Sequence, residues 1–266
     1  MGIPIETVKT NAFEMEYFKF GRGSKNLVIL PGLSVQSVMG LADAVAEAYQ
    51  ELTEEFTIYL FDRRKQLPPE YTVRDMGLDT AEAIRQTGLH DICLFGTSQG
   101  GMIALTIAIE HPELVRKLVV GSSSAHLAEE QYETIEEWIR LAKEGDAEGL
   151  YLAFGQRVYP PAVFEQCREM LASAAKTVTK EELEHFVILA EGMRGFDVTE
   201  GLAGIQCPVL AIGDFEDAVV DADATMEIAE KLEKKPDFRL FMYIGYGHAA
   251  YDLAPDYKKR ILDFLR

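Results

Sequence analysis

Short apolar runs alternate with stretches of helical period along most of this chain. Strand-like runs recur at Ile5 to Thr10, Glu14 to Phe20, Leu27 to Leu30, Thr57 to Phe61, Ile92 to Phe95, Lys117 to Val120, Val209 to Ile212 and Phe238 to Ile244. Between them, apolar residues spaced three and four apart predict helices at Leu41 to Glu54, Val73 to Gln86, Met102 to Glu110, Thr225 to Leu232 and Asp256 to Leu265. Strand and helix in regular alternation predict an α/β fold with a mostly parallel, doubly wound sheet. One region departs from the rule. Residues 125–200 carry consecutive helical segments and no convincing strand: Pro160-Pro161 separates two of them, and Thr179-Lys180-Glu181-Glu182 is a capping box opening another through Phe186, Val187, Leu189 and Met193. The expected organisation is therefore a core of residues 1–124 and 201–266, with residues 125–200 inserted as a helical cap.

The most informative break in the pattern falls at Gly96-Thr97-Ser98-Gln99-Gly100, where an apolar strand ends and the helix-like Met102 to Ile109 begins. Three fixed positions in five residues can arise by chance in a glycine-rich chain, so the context carries the argument. A G-x-S-x-G sequence at a strand-to-helix turn is a nucleophile elbow, in which the glycines allow close backbone approach and the serine hydroxyl stands clear of the sheet. Ser98 is thus the candidate nucleophile.

The residues such a serine needs follow in chain order. His248, in Gly245-Tyr246-Gly247-His248-Ala249 after the last strand-like run, is placed to accept the serine proton and return it to a leaving group. His90, His111, His126 and His185 follow no late strand. The run Pro208 to Gly213 ends in three carboxylates, Asp214, Glu216 and Asp217. Asp217 is preferred as the acid that fixes the histidine tautomer, because it leads directly into a helix and can reach back to the imidazole; Asp214 and Glu216 are expected to be solvated. Two backbone donors must face the developing oxyanion. One is the N–H of Gln99, and the other is that of Leu33, since Pro31-Gly32 turns the chain sharply after the strand at Leu27 to Leu30.

These residues resemble those of a capped, single-domain α/β-hydrolase. The resemblance spans nearly the whole chain: the Pro31-Gly32 loop, Asp62-Arg63-Arg64, the Gly96 to Gly100 elbow, Asp197 with Ile205 to Leu210, and His248. Two departures stand out, namely Pro31 at a place where relatives often carry histidine, and an acid loop, Gly213 to Asp217, one residue longer than the commonest form. The resemblance implies an α/β-hydrolase fold with the cap roofing the site. Trp138, Phe154 and Met193, with Tyr151 and Tyr159, would then line the acyl or leaving-group pocket, although packing between cap helices is the plainer role for each.

Composition narrows the partners. With 266 residues and 48% apolar content the chain can bury one large core. A formal charge of −18 argues against a nucleic-acid partner or an anionic membrane surface, both of which require a basic face. No apolar run approaches 18 residues, and Met1 to Glu6 lacks the form of a secretion signal, so a cytoplasmic protein is expected. Cys93, Cys167 and Cys207 form neither a close-set metal pattern nor a disulfide framework.

The expected activity is a serine hydrolase, most simply a carboxylesterase acting on a small or medium ester through an acyl-enzyme, with no cofactor or metal. Thioesterase, lactonase, carbon-carbon bond hydrolase, peptidase and acyltransferase chemistry could use the same triad, and a binding receptor with little turnover could keep the same pocket. Serine at the elbow argues against haloalkane dehalogenases and epoxide hydrolases, whose chemistry needs a carboxylate nucleophile.

Overall fold

A computed structural model of the chain describes residues 2–266. Eight strands, β1 (Ile5–Lys9), β2 (Glu14–Gly21), β3 (Lys25–Leu30), β4 (Phe56–Arg64), β5 (Ile92–Thr97), β6 (Val115–Gly121), β7 (Val209–Asp214) and β8 (Phe238–Tyr243), form one sheet. Their order is β1-β2-β4-β3-β5-β6-β7-β8. β2 runs antiparallel to β1 and β4, and all other neighbours are parallel. Every strand expected from the apolar pattern is present. β5, in the middle, has no exposed residue, as a parallel strand covered on both faces must.

Helices α1 (Ala42–Ala48), α2 (Val73–Gln86) and α3 (Gln99–Glu110) follow β3, β4 and β5. The single helix expected from Leu41 to Glu54 instead ends at Ala48 and continues as a 3₁₀ turn over Gln50–Leu52. Tightening to three residues per turn puts Tyr49 and Leu52 on one side, and both are buried.

Between β6 and β7 lie four helices with no strand among them: α4 (Glu129–Glu144), α5 (Ala147–Val158), α6 (Pro161–Ala175) and α7 (Lys180–Glu191). Pro161 occupies the first position of α6, where its missing N–H has no helical partner to lose. Thr179 caps α7 as its sequence predicts: its hydroxyl accepts from the Glu182 N–H, and Glu182 Oε2 accepts from the Thr179 N–H at 2.7 Å. The two ends of the insertion are tied together, since Leu127 N donates to Phe196 O at 3.0 Å and Val198 N to Ala125 O at 2.8 Å.

After β7 come α8 (Asp221–Leu232), then, beyond β8, the short α9 (Ala250–Leu253) and the C-terminal α10 (Tyr257–Leu265). Among the described residues no helix is long and apolar enough to cross a membrane.

Candidate active site

In a parallel sheet of this kind, groups that act together collect in the loops at the carboxyl ends of the strands. Ser98 follows β5, Asp217 follows β7 and His248 follows β8, so all three leave that edge. Ser98 is the residue before α3 and has φ 52° and ψ −126°, a conformation a side chain seldom adopts. Its neighbours explain how the turn fits. A Cβ on Gly96 would stand 2.1 Å from the Gly100 carbonyl oxygen, and one on Gly100 would stand 2.1 Å from that of Leu30. The elbow is thus closed against both its own helix and β3, and only glycine fits either place. The backbone is fixed by Ser98 N donating to Gly121 O at 2.9 Å and by Ser123 Oγ donating to Ser98 O at 2.7 Å.

The loops after β7 and β8 meet at a buried carboxylate–imidazole contact. His248 Nδ1 lies 2.8 Å from Asp217 Oδ2 and 3.0 Å from Oδ1. Asp217 Oδ1 also accepts from the N–H groups of Val219 at 2.8 Å and Val220 at 3.1 Å, which open the way into α8. Burial by itself would raise the Asp217 pKa, but the imidazole and the two amides outweigh it and hold the carboxyl below its ordinary value. The arrangement orients the ring and leaves Nε2 for chemistry, with Asp217 ionised at neutral pH.

The other two carboxylates of this loop divide. Glu216 is exposed, as expected, but Asp214, expected to be solvated, is fully buried. Its Oδ1 accepts from Glu216 N at 2.7 Å and its Oδ2 from Tyr246 N at 2.9 Å. Asp214 therefore ties the acid loop to the histidine loop, because each of its carboxylate oxygens accepts from a backbone amide. Its burial follows from the length of β7, which runs one residue beyond Gly213.

Leu33 and Gln99 are both buried beside the elbow. Gly32 brings the loop after β3 against the serine: a Cβ there would lie 3.1 Å from Ser98 Cβ. The Ser98 and Asp217–His248 clusters are each well defined, while among the described residues no protein hydrogen bond is made by Ser98 Oγ. Trp138 and Phe154 pack on each other between α4 and α5 with ring centroids 4.5 Å apart, and Met193 is buried just past α7. None of these three lines the cavity of about 210 Å³ beside the loop after Leu33. The insertion contributes Glu182, His185, Phe186 and Leu189 to that cavity instead. Phe186 and Leu189 stood in the sequence only as part of a helical stripe, and the stripe does not say which helix of the insertion borders the loop.

An eight-stranded sheet in this order, with a strained serine turn after β5 and an acid–histidine pair after β7 and β8, defines an α/β-hydrolase fold. The chain belongs to the alpha/beta hydrolase family, whose sequence model matches residues 27–257. Among curated proteins it is similar to "Putative carbamate hydrolase RutD" of Pseudomonas savastanoi pv. phaseolicola, with 26% identity over 259 residues covering 90% of this chain and 93% of that protein. Among solved structures it is similar to an alpha/beta hydrolase enzyme from a Medee basin deep-sea metagenome library. The two superpose with a TM-score of 0.86 at 20% identity, over 98% of this chain and 97% of the other. It is also similar to the enol-lactonase from Burkholderia xenovorans LB400, with a TM-score of 0.83 at 17% identity over 98% and 99% of the two chains.

Proposed function

We propose that this protein is a serine hydrolase that cleaves a small or medium carboxylic ester through an acyl-enzyme. Ser98 Oγ attacks the carbonyl carbon, His248 takes its proton and passes it to the departing alcohol, and Asp217 orients the imidazole and balances its charge. The amides of Leu33 and Gln99 hold the oxyanion, and water then releases the acid by the same steps in reverse order. Helices α4 to α7 act as the cap over this site. Nucleophile, base and orienting acid all come from the chain, so the reaction needs no metal or cofactor. With its strongly negative charge the protein would work as a soluble cytoplasmic enzyme on a small-molecule substrate, without nucleic acid or membrane.

The observation that supports this reading best is the buried pair of His248 and Asp217 at 2.8 Å, on the same sheet edge as a serine held in a strained elbow. A structural histidine would be served equally by a neutral acceptor, and the serine stands at φ 52° between two glycines that the surrounding backbone requires. The full-length similarity to a protein named as a carbamate hydrolase favours a second reading, in which the same serine attacks a carbamate carbonyl.

Labelling with a fluorophosphonate probe tests both, since only an activated serine reacts. Ser98→Ala should abolish labelling and lower ester turnover by about a thousandfold or more while the protein stays folded. Near-normal turnover by a folded Ser98→Ala protein would sink the mechanism. Comparing p-nitrophenyl esters of increasing chain length with aryl carbamates then separates the two substrate classes.

A further inference from the structure

β4 ends in Arg63 and Arg64, and Lys65 follows; the surroundings of these three cations differ. Arg64 Nη1 lies 3.3 Å from Asp79, and Lys65 Nζ lies 2.7 Å from Glu16. Arg63 is 8% exposed, and among the described residues no carboxylate bonds its guanidinium. The adjacent Asp62 is turned to other partners, accepting from the Arg63 backbone N–H at 2.8 Å and from Ser37 Oγ.

What the guanidinium holds is chain near the elbow. Its Nη2 donates to Pro31 O at 2.9 Å and to Gln99 Oε1 at 2.9 Å. The amide of Gln99 is then completed by Nε2 donating to Leu189 O of α7 at 2.7 Å. One nitrogen thus joins the loop that carries Leu33 to the residue after Ser98, and through it to the helix above. The Arg63 Nε is buried and has no hydrogen-bond partner among the described residues. Burial draws the guanidinium below its ordinary pKa, with Asp62 opposing the shift.

We propose that Arg63 is a positioning residue for oxyanion binding: it clamps the two backbone segments that bear the Leu33 and Gln99 amides and sets a charge without a bonded counter-ion behind them. The proposal rests on the serine-hydrolase reading. A neutral donor could satisfy Pro31 O and Gln99 Oε1 at far smaller desolvation penalty, since a cation buried without a carboxylate loses its water and gains no ion pair in return. A fixed positive charge in a dry site favours a nearby anion much more than a neutral carbonyl. Substrate enters with a neutral carbonyl, and the negative oxygen exists only in the transition state and tetrahedral intermediate. Arg63 therefore contributes to kcat and leaves KM nearly alone.

The test compares Arg63→Met, Arg63→Lys and Gln99→Met with the intact protein on p-nitrophenyl acetate. It also uses a trifluoromethyl ketone, which adds to the serine and forms an oxyanion. Loss of a donor aimed directly at an oxyanion costs about a hundredfold to a thousandfold, so an indirect clamp should cost about tenfold to a hundredfold. Arg63→Met is expected to lower kcat by that factor, weaken the ketone by the same factor and move KM by less than about twofold. Arg63→Lys, which keeps the charge without the fork, should recover part of the loss. Gln99→Met keeps its backbone amide and should give a smaller loss, and adding it to Arg63→Met should bring little further loss. Should Arg63→Met fail to fold, as a thermal melt would show, the lysine and Gln99 variants decide. The proposal is overturned if folded Arg63 variants keep kcat within about twofold, or if KM rises while kcat and ketone affinity hold. If the unaltered protein also resists fluorophosphonate and Ser98→Ala changes nothing, the serine reading fails and takes this proposal with it. A labelled protein indifferent to Arg63 overturns this proposal alone.

Discussion

Replacing Asp217 by asparagine changes one oxygen to an NH₂ group and leaves the volume of the side chain in place. The remaining amide oxygen can still accept from the Val219 and Val220 N–H groups, which bond Oδ1 at 2.8 and 3.1 Å. The cost falls on His248. The protonated Nδ1 that faces Oδ2 at 2.8 Å would meet an amide N–H instead, so the ring turns to the tautomer that presents Nδ1 as acceptor and puts the proton on Nε2, the wrong nitrogen for a base. The charge is lost as well. At 2.8 Å and an effective dielectric near 20, a carboxylate stabilises an imidazolium by about 6 kcal/mol, equivalent to about four powers of ten in rate. Because the amide dipole keeps some of this, turnover should fall by about a thousandfold to ten-thousandfold. Steady-state hydrolysis of p-nitrophenyl acetate, with a thermal melt to verify folding, measures the loss. A folded Asp217→Asn protein within about tenfold of the unaltered one would refute the assignment, and a severe loss in Glu216→Gln would move the acid to Glu216.

Three further outcomes follow from the same loops. Asp214→Asn should lower stability by about 1.5–3 kcal/mol, because the buried side chain's amide oxygen can serve only one of the Glu216 and Tyr246 N–H groups and its NH₂ opposes the other; chemical denaturation of it beside Glu216→Gln, which should be neutral, checks this. Gly100→Ala should yield little folded protein, since the added methyl would sit 2.1 Å from the Leu30 carbonyl oxygen, and soluble expression with a normal melting profile would contradict it. The Asp217 pKa is lowered on folding, so its contribution to stability is present above the ordinary carboxylate value of about 4 and is lost as pH falls through the lower folded value; the melting-temperature gap between the unaltered protein and Asp217→Asn should therefore narrow below about pH 4.

How far the sequence carries depends on what kind of force fixes each residue. The strands were legible because burial on both faces leaves an uninterrupted apolar run, as in β5, and the elbow because glycine at positions 96 and 100 answers a backbone contact that no other residue tolerates. The contact of Asp217 with His248 was expected from its place just before a helix, which lets a loop carboxylate reach back to the imidazole. The burial of Asp214 was not expected. Three carboxylates within four residues look alike in sequence, and only the fold shows that Asp214 and Asp217 are buried while Glu216 is exposed. Arg63 shows the same limit. A run of three cations reads as a solvated surface, and the register between β2 and β4 shifts between Met15↔Arg64 and Tyr17↔Phe61, so simple alternation does not carry from Phe61 to the end of the strand. What Arg63 touches could not be read, because Pro31 and Gln99 reach it across β3 and β5 and that contact exists only once the sheet has formed.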